Sequence, residues 1–565
     1  MPRQTLAREL SPHPPRPTRE RTRRLAKTVA ERSIGRSSAL LAGGTIISRI
    51  LGFVKTIVLI QAIGVFAVGD AFAAANQLPN TIYVIVAGGA LSAVLVPQIV
   101  QSALHLDGGR AYINKLVTIA LAVLAVAALV ATVLAPWLVS ITVHDFAPNQ
   151  AALATAFAYW CLPQIFFYGV YTILGEVLNA RNSFGPFTLA PIVNNVVSLA
   201  GLVVFLAIYG SDAAGSRPFS WWTPDSIALL AGSATLGIAV QGLILFAFWR
   251  RVGLSYRPDF RWRGVGLAQT GRIAGWSFGM ILVSTAAGLV ETNVVSTASG
   301  NDASVAVLQY AWLIFMLPHS IVAVSIATAY FTRMSENASA KRLDLVRADL
   351  GASIRQITVV MVLAAVVLLV ASYPFGRVFA ENYPGALAIG NVLIAFLIGL
   401  PAFSILFVLQ RAFFAIGDTR TPFFTNLFQG VVFAAGCLVV LFVIPKDLVG
   451  SAVALMLSVA GVLQAVVAAV LLRRRLGGSV RRTLSSFAKD ALAALPAAIA
   501  GAVVFLLLGG SSDGGFAMSG RFQAIVSMVV IGIVMLGVYA LALRVVRSSE
   551  LTDAAGPILR RLRRS

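Results

Sequence analysis

The sequence predicts an all-α polytopic membrane protein. About fourteen transmembrane helices are expected, as two pseudo-symmetric six-helix lobes with two C-terminal helices appended. Three observations carry this. The 565 residues are 58% hydrophobic and only 12% charged, far too apolar for a soluble chain of this length. The apolar residues form runs long enough to cross a bilayer, which takes ~20 residues. The basic residues gather in alternate connections between those runs, the charge asymmetry that orients membrane proteins.

Residues 1–36 form a basic, Pro-containing segment with eight arginines or lysines from Arg16 to Arg36. No short apolar core followed by a cleavage pattern is present, so it reads as a cytoplasmic tail rather than a signal peptide. The first span opens the central stretch, 37–103. It carries Arg49 and Lys55 inside its apolar run, where a cation costs ~2.5–3.5 kcal/mol unless wet or paired. At ~100° per residue, Thr45, Ser48, Arg49, Gly52, Lys55 and Thr56 fall within an arc of roughly 120°. Ile46, Ile47, Ile50, Phe53, Val54 and Ile57 face away. The second span has Asp70 near its start, Pro79 inside it, and Asn76, Asn80 and Tyr83 on one stripe. Two adjacent polar faces imply a hydrated, positively charged cavity. Arg49 pairing with Asp70, or capping a carbonyl, as structural glue is the plainer alternative.

Further spans are expected near 113–143, 150–180, 186–209, 225–249, 267–298, 303–331, 352–376, 387–415, 420–444, 448–472, 485–508 and 522–546. With the N-terminus inside, connections 250–263, 333–347 and 473–482 are Arg-rich and cytoplasmic. Those at 144–149 and 299–302 hold no Lys or Arg, and 210–224 holds only Arg217. Both termini are then cytoplasmic, with a second basic tail at 549–565. The net charge of +22 thus reflects membrane orientation and anionic lipid rather than nucleic acid.

An internal echo divides the chain. Leu178–Phe187 (LNARNSFGPF) answers Phe413–Phe423 (FFAIGDTRTPF), and Leu78-Pro79 answers Leu317-Pro318, both at a six-span offset. The expected units are 1–36, a lobe at 37–263, a lobe at 264–482, two appended helices at 483–548 and the tail 549–565. Repeats of this kind place substrate between the halves.

No catalytic constellation is found: no P-loop, no HExxH, no CxxC. Cys161 and Cys437 form no disulfide framework, the four histidines are scattered, and no metal site is expected. Glu291, alone in AAGLVETNVVS, is a candidate for coupling to a cation or proton, and equally for structural pairing. Asp418 is a second coupling candidate. Arg411 and Arg420 read as membrane anchors, and His319 as a helix–helix hydrogen-bond partner.

Ser48-Arg49-Ile50-Leu51-Gly52-Phe53, Asp70-Ala71-Phe72, Leu78-Pro79-Asn80 and Gly89-Ala90 with Val96-Pro97 resemble the MurJ (MviN) family of lipid II flippases. That family lies in the wider group of MATE exporters and polysaccharide flippases. The resemblance covers roughly 37–548 and implies alternating access in a bacterial cytoplasmic membrane. It implies no cofactor, with drive from the membrane potential, Na+ or H+. The implied partners are an undecaprenyl-pyrophosphate-linked peptidoglycan precursor, membrane lipids and other cell-wall synthesis proteins. The last two spans would form a groove for the lipid tail. The substrate-binding set it implies is Arg49, Lys55, Asp70, Asn76, Asn80 and Tyr83. Lys55 stands where an arginine is usual. Tyr83 and Leu313 replace arginines common in the family, and Gly88 a glutamate. The rivals are an exporter of another lipid-linked oligosaccharide, a polymerase of lipid-linked sugars, and a non-transporting scaffold for cell-wall enzymes.

Sidedness is directly testable. With Cys161 and Cys437 replaced, a cysteine at Ser216 is expected to react with an impermeant thiol reagent from outside, and one at Ser255 not. The reverse pattern would remove the fourteen-span topology.

Overall fold

The computed structural model describes residues 43–86, 110–181, 183–261, 271–300, 303–477 and 481–546. Both basic tails and the Gly88–Pro97 stretch lie outside the described residues. Helices dominate, and no strand occurs among the described residues. Twelve helices are long and apolar enough to cross a membrane, or thirteen if one bent pair is a single span. The remaining expected span is α2 (Ala67–Val86), 20 residues long. Asp70, Asn76, Gln77 and Asn80 make it too polar to count with the rest. The chain is a multi-pass membrane protein.

The first half runs through α1 (Gly43–Ile63), α2, α3 (Arg110–Val133), α4 (Ala135–Thr142), α5 (Pro148–Cys161), α6 (Gln164–Ala180), α7 (Phe184–Tyr209) and α8 (Pro224–Trp249). Several start with proline in the first turn, where its missing N–H costs nothing. Thr223 and Ser226 close a capping box at the start of α8. α2 packs on α5 and α6, and α8 on α5, α6 and α7. α1 lies tightly on α7: a Cβ on Gly44 would stand 2.2 Å from the Thr188 methyl, and Asn195 Nδ2 donates to the Ser48 carbonyl at 2.8 Å.

The second half comprises α9 (Gly271–Ser296), α10 (Val305–Pro318), a π turn at His319–Ala323, and α11 (Val324–Ser339). α12 (Leu343–Val370), α13 (Ser372–Phe379), α14 (Tyr383–Leu397), α15 (Leu400–Ala415), α16 (Arg420–Val443) and α17 (Val449–Leu476) follow. Three boundaries differ from the sequence reading. The eighth span continues to Ser339, because its polar end packs on α12: Met334 is buried and Arg333 pairs with Asp349 at 2.6 Å. The ninth starts at Leu343 rather than 352. The tenth bends by 48° between α14 and α15, where Gly399 and Pro401 interrupt the helix.

α18 (Arg481–Leu507) and α20 (Arg521–Val545), with the short α19 (Phe516–Ser519) before the latter, pack on each other and on α12 and α13. Ala493, Ala494 and Ala497 meet Ile531, Met535 and Tyr539 over Val359 and Val362. The Tyr539 hydroxyl donates to the Val359 carbonyl at 3.0 Å. Their other faces expose Leu492, Leu495, Ile499, Val503, Val529, Ile533 and Leu536, an apolar surface suited to lipid.

The two halves meet where α2 packs on α9 and α10, and α4 on α9. Leu78-Pro79 and Leu317-Pro318, the echoed pairs, therefore sit on helices that touch across the interface.

Candidate functional site: a polar cavity between the halves, closed at one end

The hydrogen bonds that join the halves gather at the end that the charge pattern assigns outside. Asp70, fully buried, accepts from the Ser299 hydroxyl at 2.6 Å and from the Ala306 N–H at 2.9 Å. The second bond places a carboxylate on the N-terminus of α10, where unpaired N–H groups and the helix dipole favour negative charge. Gln150 donates to Ser299 at 2.7 Å and to the Ala67 carbonyl at 2.8 Å. Gln309 donates to Gln77 at 2.7 Å, Asn293 to the Ile141 carbonyl at 2.7 Å, and Gln61 to Glu381 at 3.0 Å. Arg521, opening α20, donates to Gln61 as well.

A loop clamps the end of α1 at the same place. The Asp212 N–H donates to the Gln61 carbonyl at 3.0 Å. Arg217 donates to the Tyr209 carbonyl at 2.6 Å and the Gly210 carbonyl at 2.9 Å, filling acceptors left open at the end of α7. Gly64 has φ +74°, and a Cβ there would stand 2.8 Å from the Gly215 nitrogen. Only glycine permits that approach.

Behind this closure lie three adjoining cavities. One of about 430 Å³ separates α2 from α9 and is lined by Gln77, Asn80, Thr81, Ser284, Thr292 and Asn426. One of about 350 Å³ reaches into the second half past Glu291, Trp312 and Phe403. A smaller one, about 200 Å³, joins them at Gln77, Glu291 and Trp312. Glu291 is the one ionisable residue lining these three cavities among the described residues.

The six residues expected to bind substrate thus divide. Asn80 lines the cavity. Asp70 bonds across the closure to Ser299 and to the first turn of α10, and it has no ion pair with Arg49 among the described residues. Asn76 accepts from Gln164 at 3.3 Å, and the Tyr83 hydroxyl donates to Thr172 at 2.7 Å; both face α6, inside the first half. Arg49 and Lys55 are half-buried on α1 and are not among the lining residues of these cavities. Arg49 stands within electrostatic reach of His319 on the second half, and its buried Nε has no hydrogen-bond partner. His319 itself bonds Ser404 through Nδ1 at 3.0 Å.

Of the coupling candidates, Glu291 faces the cavity. Asp418 does not line it. It accepts from the Arg420 and Thr421 N–H groups at 3.1 and 3.0 Å and the Thr421 hydroxyl at 2.6 Å, and pairs with Arg475 at 3.1 Å. Burial pushes its carboxyl up, but those donors outweigh burial and hold it below the usual carboxylate range. That stabilisation is present at neutral pH and fades as acid protonates the group. Asp418 caps α16. Sequence reasoning missed Gln77, Gln309 and the aromatic wall around Trp312; Gln77 lies one residue from the stripe it did identify. No cluster of three metal-ligating side chains occurs among the described residues.

Two helical halves around a polar cavity, joined at one end, have the architecture of a membrane transporter. The family model of the lipid II flippase MurJ matches residues 59–542, and the chain belongs to that family. Relatives include a probable lipid II flippase MurJ of Rhizobium tropici, 26% identical and covering 83% of this chain and 86% of its own length. Another, from Rhizobium meliloti (strain 1021), is 26% identical over 73% of this chain and 76% of its own. Among solved structures, a lipid II flippase MurJ in an inward closed conformation aligns with TM-score 0.70 at 20% identity, covering 90% of this chain and 99% of that one. An inward-facing MATE family transporter of the MOP superfamily aligns with TM-score 0.57 at 17% identity, over 76% and 94%.

The closure makes a prediction. Hydrogen bonds to a buried charge contribute ~1.5–3 kcal/mol each, and ~1.4 kcal/mol is tenfold in a population. Asp70→Ala is expected to raise the outside labelling rate of a cysteine placed at Gln77 by about tenfold or more. An unchanged rate, in protein of normal thermal stability, would show that Asp70 does not hold the outer end shut.

Proposed function

We propose that this protein carries lipid II, the lipid-linked peptidoglycan precursor, from the inner to the outer leaflet of the bacterial cytoplasmic membrane by alternating access. Both termini are cytoplasmic in this reading. The protein makes and breaks no covalent bond. It moves a polar head group past hydrocarbon that the head group cannot cross alone.

One observation carries the reading beyond family membership. α1, at the seam between the halves, holds two cations inside an apolar helix, and neither has an ion pair with an acid among the described residues. Such charges are expensive in a membrane unless a counter-ion or water meets them. A pyrophosphate supplies that counter-ion, and Arg49 offers it a planar fork while Lys55 offers a point charge. The head group enters between α1, α2 and α9 while the closure at Asp70 keeps the outer end shut. The lipid tail stays outside, along the apolar faces of α18 and α20. Drive from Na+, H+ or the membrane potential has one carboxylate in the cavity walls to act on, Glu291.

Arg49→Ala is expected to leave the protein in the membrane at normal level and cut flipping of lipid II in proteoliposomes by ~10-fold or more, with Arg49→Lys recovering part. Quantitative blotting beside the flipping assay checks it. Full activity of the double variant Arg49→Ala with Lys55→Ala would overturn the proposed pyrophosphate site.

A further inference from the structure

Glu291 lies in α9 and lines two of the three joined cavities. It has no hydrogen bond or ion pair among the described residues. The larger of its two cavities, about 350 Å³, is walled by rings: Trp312, Phe315, Phe396, Phe403 and Phe407. The first four form one continuous aromatic surface, and Phe407 joins it through the His319 ring, which meets both Phe403 and Phe407. Trp312 stacks on Phe315 with centroids 4.8 Å apart, and meets Phe396 and Phe403 edge-on at 5.5 and 5.7 Å. The rings come from α10, α14 and α15, so three helices build the wall around the carboxylate. Gln410, Gln429 and Gln464 add amide groups that can accept hydrogen bonds. Among the described residues, no Lys, Arg or His lines the cavity.

Ring faces carry negative electrostatic potential and attract cations, most strongly where water is excluded. A carboxylate among them adds full charge. Together they repel an anion, and a neutral apolar ligand leaves the carboxylate unanswered. A small metal cation is held by a shell of oxygens and gains little from five ring faces. A weakly hydrated organic cation uses both parts. Phe407 already shows the preference on its other partner: the Arg411 guanidinium stands 4.9 Å from its centroid. The volume lies in the range of small-ligand sites.

We propose that this cavity binds an organic ammonium group, seated on Glu291 against the faces of Trp312 and its neighbouring phenylalanines. The proposal rests on the reading of the joined cavities as the transport path. The ammonium has two possible sources of one chemistry: a free amine on the peptide part of the lipid-linked head group, or a separate amphipathic amine. In the first case the head group is gripped at two poles, its pyrophosphate by the cations of α1 and its amine by Glu291.

The test uses the full chain in detergent micelles, with hexyltrimethylammonium as probe and 1-hexanol as its neutral counterpart. Trp312 reports binding through its fluorescence, and Trp312→Phe removes that signal. The expected result is saturable quenching by the ammonium alone, at least about tenfold weaker in Glu291→Gln, since one charge contact of this kind is worth that much. Glu291→Asp is expected to recover part of the affinity. Thermal unfolding of each variant guards against a folding defect. Equal affinity in Glu291→Gln, or equally saturable quenching by 1-hexanol, would overturn the proposal. Competition then separates the sources. If lipid II with a free peptide amine displaces the probe and its N-acetylated form does not, the substrate supplies the ammonium. If neither form displaces the bound probe, a separate amine is the ligand. Loss of lipid II flipping as a function of this protein, with probe binding intact, would sink the transport reading and leave the cation site standing.

Discussion

Asp70 is a carboxylate with no exposed surface at the seam between two halves, and its two oxygens reach residues 229 and 236 positions away. A buried charge of this kind is tolerated only where donors satisfy it. Here the donors belong to the other half of the molecule: the Ser299 hydroxyl and the first turn of α10. The burial that makes Asp70 costly when alone makes the closed end stable when it is met. The bonds of Gln150, Gln309 and Asn293 surround it, and the Gln61 contacts to Glu381 and Arg521 lie at the same end. Opening that end means withdrawing a carboxylate from a helix N-terminus and hydrating it, so water must enter as the halves part. Such an element has two discrete states rather than a continuum.

Among the described residues, the cations of α1 and the carboxylate of the cavity wall are not paired with each other. The cations sit on α1, and the cavity walls carry a carboxylate on α9. Two ion pairs, Arg333 with Asp349 and Arg475 with Asp418, lie at the opposite end, within the second half. They tie α11 to α12, and the end of α17 to the connection before α16. This division fits a substrate whose head is a strong anion with other polar functions attached. Tyr83 adds no charge to this arrangement, because its hydroxyl is taken up by Thr172 within the first half.

Much of the fold was legible because bilayer thickness imposes a length on every span and orientation imposes a charge on every connection. The runs at 113–143, 420–444 and 522–546 map onto helices at 110–142, 420–443 and 521–545. The misplaced boundaries have a common cause. Helices continue into water when a neighbour covers them, as α11 and α12 cover each other, and hydropathy does not register that. The site was less legible. A helical wheel gives the angle of Asn76, Asn80 and Tyr83 but not the neighbour each meets, and two of the three turned toward α6. The break of span ten was marked in the sequence by Gly399 and Pro401. The aromatic wall was not marked, because Trp312, Phe396 and Phe403 converge from three helices with no spacing that links them.

The central claim is that the halves must part at the closed end for the head group to leave. The most direct measurement is flipping by a protein locked there. With Cys161 and Cys437 replaced, cysteines at Gln61 and Glu381, whose longer side chains bond at 3.0 Å, can be bridged by a short bis-methanethiosulfonate that a reductant removes. The bridged protein, reconstituted in vesicles, is expected to flip no lipid II and to regain its rate on reduction. Undiminished flipping by the fully cross-linked protein would contradict it.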